Sequence, residues 1–249
     1  MIKSIIKRWH WLTKVHFDKL TGFYYYHRYG HRIYIRRPRH FLTEKKIRWL
    51  CENILFHYYT PSNGEQIVDL GIGYGEEAIF LKSISPGTKY IGVEPQPVIY
   101  ECVSNTFREL NPNYIVSPFL VTTDFEVKFA SRYSYASVGM LDRGYIEIPT
   151  LSWPEFIKRY NINTIDLLTM NIEGSEKQLI ESIDDFSMIK RLLVSCHDHR
   201  AENGDGEFYR TKKYVTTKLK REGYKLSTFN YGIDWSDDYI FAVKTTSHD

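Results

Sequence analysis

The segment Ile67-Val-Asp-Leu-Gly-Ile-Gly-Tyr-Gly-Glu76 constrains this chain more than any other. A short apolar run ends in an aspartate, breaks into three alternating glycines, and passes at once into a helix-forming stretch. That order reads as a strand, a tight turn and a helix start, with an acid at the strand's carboxyl end. Glycines at 71, 73 and 75 strip the backbone of side chains, so a ligand can approach it closely. Asp69 can hold a cationic amine, a group that a phosphate-cradling loop has no reason to accommodate. Glu76 stands where a dinucleotide-binding fingerprint places a third glycine, which weakens a nicotinamide-dinucleotide reading.

Downstream of Gln66 the chain alternates strand and helix. Strands are predicted at Ile67–Leu70, Tyr90–Val93, Phe119–Thr123, Ile165–Ile172 and Leu192–Cys196, with Tyr145–Ile148 extended. Helices are predicted at Glu76–Ser83, Val98–Leu110 and from the capping box Ser152-Trp-Pro-Glu155 to Tyr160, then over Glu207–Arg221. Residues 131–144 read as a long loop. Two closing strands, Lys225–Phe229 and Tyr239–Lys244, flank a helix-free segment Asn230–Asp238, which predicts an antiparallel hairpin at the sheet edge. The whole is an α/β fold with a mostly parallel, Rossmann-like sheet.

Before Gln66 lies a different kind of sequence. Residues 1–50 hold 13 Lys and Arg against only Asp18 and Glu44, a balance of +11, whereas the remainder carries −8. Aromatics interleave with the basic residues, as in Phe23-Tyr-Tyr-Tyr-His-Arg28 and Tyr34-Ile-Arg-Arg-Pro-Arg39. Residues 2–12 show helical spacing of Ile2, Ile5, Ile6 and Trp9. His31–Arg37 reads as a strand, and Thr43 as the N-cap of a helix striped by Ile47, Leu50, Cys51, Ile54 and Leu55. Residues 1–63 therefore form a basic, aromatic-rich extension and 64–249 the main domain. The extension can hold an acidic or phosphorylated carrier, or an acidic membrane surface. A solvated basic cover that pairs with the acidic body is the alternative.

At 249 residues, 43% hydrophobic and 25% charged, the composition is that of an ordinary globular chain. No apolar run approaches the roughly 20 residues of a membrane span, and the N-terminus is a poor signal peptide. Cys51, Cys102 and Cys196 lie far apart, as expected of free thiols in a reducing compartment. A cytoplasmic protein, capable of peripheral membrane contact, is expected.

In open α/β sheets the ligand sits outside the carboxyl ends of the strands. The second strand ends Val93-Glu-Pro95, placing Glu94 where two ribose hydroxyls can be held. The third ends at Thr122-Thr-Asp124, where Asp124 can read an adenine edge. The later stretch Asp166-Leu-Leu-Thr-Met-Asn-Ile-Glu-Gly-Ser-Glu176, followed by Gln178-Leu-Ile180, resembles the D-x-E-G-x-E motif of the FkbM family of S-adenosylmethionine-dependent methyltransferases. Val68-Asp-Leu-Gly-Ile-Gly-Tyr-Gly75 resembles that family's glycine motif, Val93-Glu-Pro95 its E-P motif, and Ile146-Glu-Ile-Pro-Thr-Leu151 the segment before its capped helix. The resemblance spans roughly residues 60–200. Asn171 stands where the family usually has aspartate, and Gly-Ile-Gly where Gly-Ala-Asn is frequent.

The resemblance implies a class I methyltransferase sheet and S-adenosylmethionine as cofactor, leaving S-adenosylhomocysteine as product. Asp69, Gly71, Gly73, Tyr74, Gly75, Glu76, Glu94, Pro95, Asp124 and Asn171 are then the cofactor-binding set. The acceptor it implies is a hydroxyl of a saccharide, on a glycan or glycolipid. A sugar hydroxyl needs a general base within hydrogen-bonding reach. His197 or His199 is expected to serve, with Glu173 and Asp198 orienting it or binding the acceptor. The same cluster contains competent ligands for a divalent metal, but no tight ligand spacing supports one, and no metal is expected. Two rivals remain: an RNA methyltransferase that uses the basic segment, and a non-catalytic module of the same fold. Of these partners nucleic acid is the less expected.

Overall fold

The computed structural model describes residues 13–110, 112–122, 128–130 and 145–245. The predicted helix at 2–12, the loop 131–144 and Asp124 lie outside them. The chain opens with an antiparallel ribbon of β1 (His16–Asp18), β2 (Phe23–Arg28) and β3 (His31–Ile35). Tyr29 and Gly30 close the β2–β3 hairpin with φ of 46° and 82°, the paired positive values that a two-residue turn requires. Helix α1 (Glu44–Leu50) starts at Thr43, whose side chain accepts from the Lys46 N–H. A wider helical turn, Cys51–Leu55, carries its stripe onward, so Ile47, Cys51 and Ile54 are all buried.

The main body follows as β4 (Gln66–Leu70), α2 (Glu76–Ile84), β5 (Lys89–Val93), α3 (Pro97–Arg108) and β6 (Tyr114–Ser117). After β7 (Leu120–Val121), β8 (Lys128–Ala130), β9 (Tyr145–Glu147) and β10 (Thr150–Leu151) come α4 (Trp153–Arg159), β11 (Leu167–Met170) and α5 (Glu176–Ser182). The chain ends through β12 (Arg191–Ser195), α6 (Asp198–Glu202), α7 (Lys212–Arg221), β13 (Tyr224–Thr228), α8 (Asp234–Asp237) and β14 (Tyr239–Lys244). The central sheet has seven strands in the order β13-β14-β12-β11-β4-β5-β6, and only β14 runs antiparallel to its neighbours. From β4 the chain winds outward through β5 and β6, then returns to β11 on β4's other side. That reversal is the switch point at which such sheets bind ligands.

Side chains alternate across β4, and the alternation decides the site. Val68 and Leu70 face a core built with Trp153 and Phe156 of α4, Leu179 and Ile180 of α5, and Val215 and Leu219 of α7. Ile67 faces the other way, into a core with Ile54, Ala78, Leu81, Val103 and Phe107. Asp69 shares Ile67's face. The ribbon packs beside this second layer, where Tyr26, Ile33, Ile35 and Phe41 meet Tyr74, Ile79, Ile99 and Cys102.

Three sequence expectations are corrected, and one helix is added. The sheet's third strand is Tyr114–Ser117, not Phe119–Thr123: Pro118 cannot donate to the ladder, and Leu120–Val121 pairs with Thr150–Leu151 instead. The helix expected over Glu207–Arg221 splits into a short 3₁₀ turn at Glu207–Tyr209 and α7. Asn230–Asp238 is not helix-free, since it carries α8. The helix α6, directly after His197, was not anticipated.

Gly75 precedes α2 at φ 77°, and a Cβ there would stand 2.8 Å from Phe107 Cε1 and 2.9 Å from Val103 Cγ2. Gly75→Ala combines backbone strain with overpacking and should cost about 2–5 kcal/mol. Urea unfolding of the variant measures this loss.

Candidate active site

The carboxyl ends of β4, β5 and β11 open on a cleft with a cavity volume of about 190 Å³. A smaller recess of about 60 Å³ adjoins it, and the two share Gly71, Ile72, Glu77 and Asn171 in their walls. Gly71 has φ +89°, and a Cβ there would stand 2.1 Å from the Asn171 carbonyl oxygen. The absence of that side chain lets the end of β11 close against the glycine loop. A Cβ on Gly73 would meet nothing within 4 Å, so this residue leaves the loop open.

The Gly73 N–H donates to Glu94 Oε2 at 3.1 Å, and the Gln96 N–H donates to Oε1 at 2.9 Å. Glu94 is buried, and burial pushes its carboxyl up to about 7. Pro95, Ile99, Leu120, Val121 and Thr122 line the cleft beside it, giving an apolar slot next to the Glu94 carboxylate. Asp69 lines the recess rather than the cleft, because of its side of β4; Tyr90 Oη donates to it, and burial raises its carboxyl. Glu77, which the sequence reading passed over, lines both cavities; burial and the charges of Glu76 and Asp69 push it up to about 8. The acidic doublet after the last glycine was its signal.

Tyr74 and Glu76 line the cleft, yet both are held by the N-terminal extension. Tyr74 Oη lies 2.6 Å from His40 Nδ1, with the rings stacked at 5.3 Å. Burial, then the charges of Arg39, Arg37 and Arg36, pulls His40 down to about 4, so it stays neutral. Tyr26 Oη donates to the buried Glu76 at 2.9 Å. Part of the extension's charge is used internally: Arg32 pairs with Glu109, Arg48 with Glu44 and Glu52, and Arg28 donates to the Leu42 carbonyl.

The later strand ends supply a second cluster. Glu173 lines the cleft at φ +55°, a left-handed conformation that strains a residue with a side chain. Arg200 Nη1 donates to its Oε2 at 2.6 Å, and His197 Nε2 lies 3.8 Å from its Oε1. His197 is buried and stands behind Glu173, its Nδ1 2.9 Å from Glu176 Oε1. Burial lowers the imidazole's pKa, but the hydrogen bond and charge of Glu176, with Glu173, outweigh it and the net shift is upward. Glu176 also accepts from the N–H groups of Ile172 and Gly174 and from Thr211 Oγ1.

Two expected residues sit elsewhere, and a third is placed at the site but is not a carboxylate. Asp198 caps α7, accepting from the N–H groups of Thr211 and Lys212 at 2.8 and 2.9 Å, so it is occupied away from the cleft. His199 pairs with Asp238 at 2.9 Å and does not line the cleft. Asn171 is exposed, bordering both cavities. Its short amide cannot replace a carboxylate's charge. Among the described residues no three His, Cys, Asp or Glu side chains converge as a metal ion requires, and no helix is long and apolar enough to cross a membrane.

A sequence profile described as the Methyltransferase FkbM domain matches residues 69–226. The chain belongs to the FkbM methyltransferase family. No curated protein sequence matches it. Among solved structures it is similar to the fibrillarin/Nop5p complex, at 12% identity over 93% of this chain and 98% of that one, with a TM-score of 0.50. An O-methyltransferase from Bacillus cereus in complex with SAH gives 11%, 83% of each chain and 0.49. Precorrin-6y C5,15-methyltransferase from Geobacter metallireducens GS-15 gives 10%, 82% and 90%, and 0.45. At these identities the likeness is one of fold, and that fold is the class I methyltransferase sheet.

This FkbM methyltransferase is S-adenosylmethionine-dependent, and its cleft fits that donor. The glycine loop is open at Gly73, Glu94 can accept from hydroxyls, and Gln178, which lines the cleft, has a buried Oε1 without a hydrogen-bond partner among the described residues. Two outcomes follow for S-adenosylhomocysteine binding by calorimetry. Tyr26→Phe leaves Glu76 without its phenol, and should weaken binding and lower stability by about 1–3 kcal/mol. Glu94 is ionised only above about 7; since charged acceptors bind hydroxyls more strongly, affinity should rise about tenfold between acid and alkaline sides. Glu94→Gln should weaken binding and remove that rise.

Proposed function

We propose that this methyltransferase transfers its methyl group to a hydroxyl oxygen of a saccharide, with Glu173 as the group that meets the acceptor. The observation that carries the reading is the line Glu173–His197–Glu176, which opens on the cleft at Glu173 and ends in a buried carboxylate. S-adenosylmethionine, when bound, supplies a methyl carbon activated by its sulfonium. Glu94 would hold the ribose hydroxyls, and Asp69 with Glu77 would hold the ammonium group from the adjoining recess. Asp124, if it reads adenine, does so from outside the described residues.

A sugar hydroxyl is weakly nucleophilic while protonated, so the protein must take its proton as the bond forms. Glu173 Oε1 receives that proton, while Arg200 on Oε2 fixes the carboxylate's orientation. His197 Nε2, 3.8 Å behind, accepts the proton onward, because Glu176 keeps Nδ1 engaged and the ring basic. The histidine thus acts through Glu173 rather than on the acceptor, which revises the expectation that His197 or His199 is the base in contact. Gln178 Oε1 offers an acceptor to a second hydroxyl. Arg36, Arg37 and Arg39, which form no ion pair among the described residues, would suit a phosphorylated carrier of the saccharide.

Incubation with S-adenosylmethionine and a panel of oligosaccharides, read by mass spectrometry, tests the acceptor class; methylation of RNA alone would refute it. Glu173→Gln should lower kcat by about 10²–10⁴ while leaving S-adenosylhomocysteine affinity within about twofold. Because His197 must be neutral to take a proton and the carboxylates of Glu176 and Glu173 hold its pKa above that of a free imidazole, kcat should climb with pH as the ring loses its proton and then level. In His197→Gln the climb should vanish; an unchanged pH profile would remove His197 from the path.

A further inference from the structure

Outside the cleft, α1 and the loop between β13 and β14 present an aromatic surface that nothing above uses. Tyr58, Tyr231 and Trp235 are 42%, 38% and 38% exposed, and Ile233 is 36% exposed. The Trp49 ring stands between two of them, 5.7 Å from Tyr231 and 6.1 Å from Trp235. These rings are fixed in place. Tyr231 Oη donates to the Asn53 carbonyl at 2.9 Å and Tyr58 Oη to the Thr228 carbonyl at 2.7 Å. The Asp237 carboxylate accepts from the N–H groups of Tyr231 and Gly232 at 2.7 and 2.9 Å, holding the loop's turn.

The surface lies at the active edge of the molecule. Since β14 runs antiparallel, the loop that precedes it falls at the carboxyl ends of the parallel strands. Trp235 packs on Tyr239 at 6.5 Å, and Tyr239 lines the recess that holds Asp69. Exposed aromatic patches of this kind mark binding surfaces. Its charge favours a neutral partner: Asp234 is the exposed acid of Phe229–Asp238, Asp238 is buried against His199 and Lys212, and Lys45 and Lys46 lie one helical turn before Trp49 on α1. The mixed charge gives no net attraction for an anionic lipid surface or nucleic acid. A neutral pyranose suits it, because its C–H face lies flat on an aromatic ring while a hydroxyl donates to the exposed Asp234 carboxylate.

We propose that Trp49, Tyr231 and Trp235 form a secondary saccharide subsite that holds a neutral hexopyranose unit of the acceptor beside the methyl-transfer cleft. This rests on the saccharide reading above. The test applies the full chain, loaded with S-adenosylhomocysteine, to a microarray of neutral and acidic oligosaccharides. Neutral hexose glycans should retain the parent protein. Trp235→Ala and Tyr231→Ala should each cut retention about tenfold or more, as loss of a stacked ring costs in other sites, and Trp235→Phe should keep most of it. S-adenosylhomocysteine affinity should be the same in all, confirming the fold. Equal retention of parent and Trp235→Ala would overturn the subsite and leave the saccharide reading standing. No glycan retained by the parent would overturn both. Self-association of the parent that Trp235→Ala abolishes, without glycan retention, would make the surface a protein interface instead.

Discussion

The fully buried carboxylate of Glu176 is the interaction on which the rest of the Glu173–His197 cluster depends. A lone carboxylate in such a place is costly, and it persists only when its oxygens are fully engaged. Four donors meet it: two backbone N–H groups of the Ile172–Gly174 turn, the His197 ring and the Thr211 hydroxyl. These come from the ends of β11 and β12 and from the start of α7, so one side chain joins three separate stretches of chain. Its charge keeps His197 basic, and its hold on the turn fixes where Glu173 points.

The donor side is organised differently. There the backbone itself is the scaffold, and glycines admit what side chains would block. The packing of Gly71 against the Asn171 carbonyl brings β4 and β11 together at their carboxyl ends. Alternation along β4 then sends Asp69 to one side and Leu70 to the other, which puts Asp69 in the smaller recess and Leu70 in the main cleft.

Much of this was legible in the sequence because it is local. The glycine turn, the Val93-Glu-Pro95 strand end and the Ser152 capping box each declare themselves within a few residues. The closing strand pair was legible too, from its alternation. What escaped depends on contacts between distant residues. Asp198 reads as an acid that orients a neighbouring histidine or binds the acceptor, and only the approach of α7 shows that it caps a helix. Glu176 lay inside the recognised motif, but its role needs His197 and Thr211, 21 and 35 residues away. The strand at Tyr114–Ser117 was missed because the apolar run after Pro118 is the more conspicuous.

The ribbon's grip on Tyr74 and Glu76 has a consequence for how the protein can be divided. The segment that matches the family profile begins at Asp69, so Tyr26 and His40 lie well upstream of it. The family core is therefore not a self-sufficient unit in this chain. A fragment cut at that boundary would lose the first half of β4, all of β14, and the two hydroxyl–partner contacts that brace the glycine loop. Here the contacts that hold the glycine loop from behind come from sequence outside the matched segment.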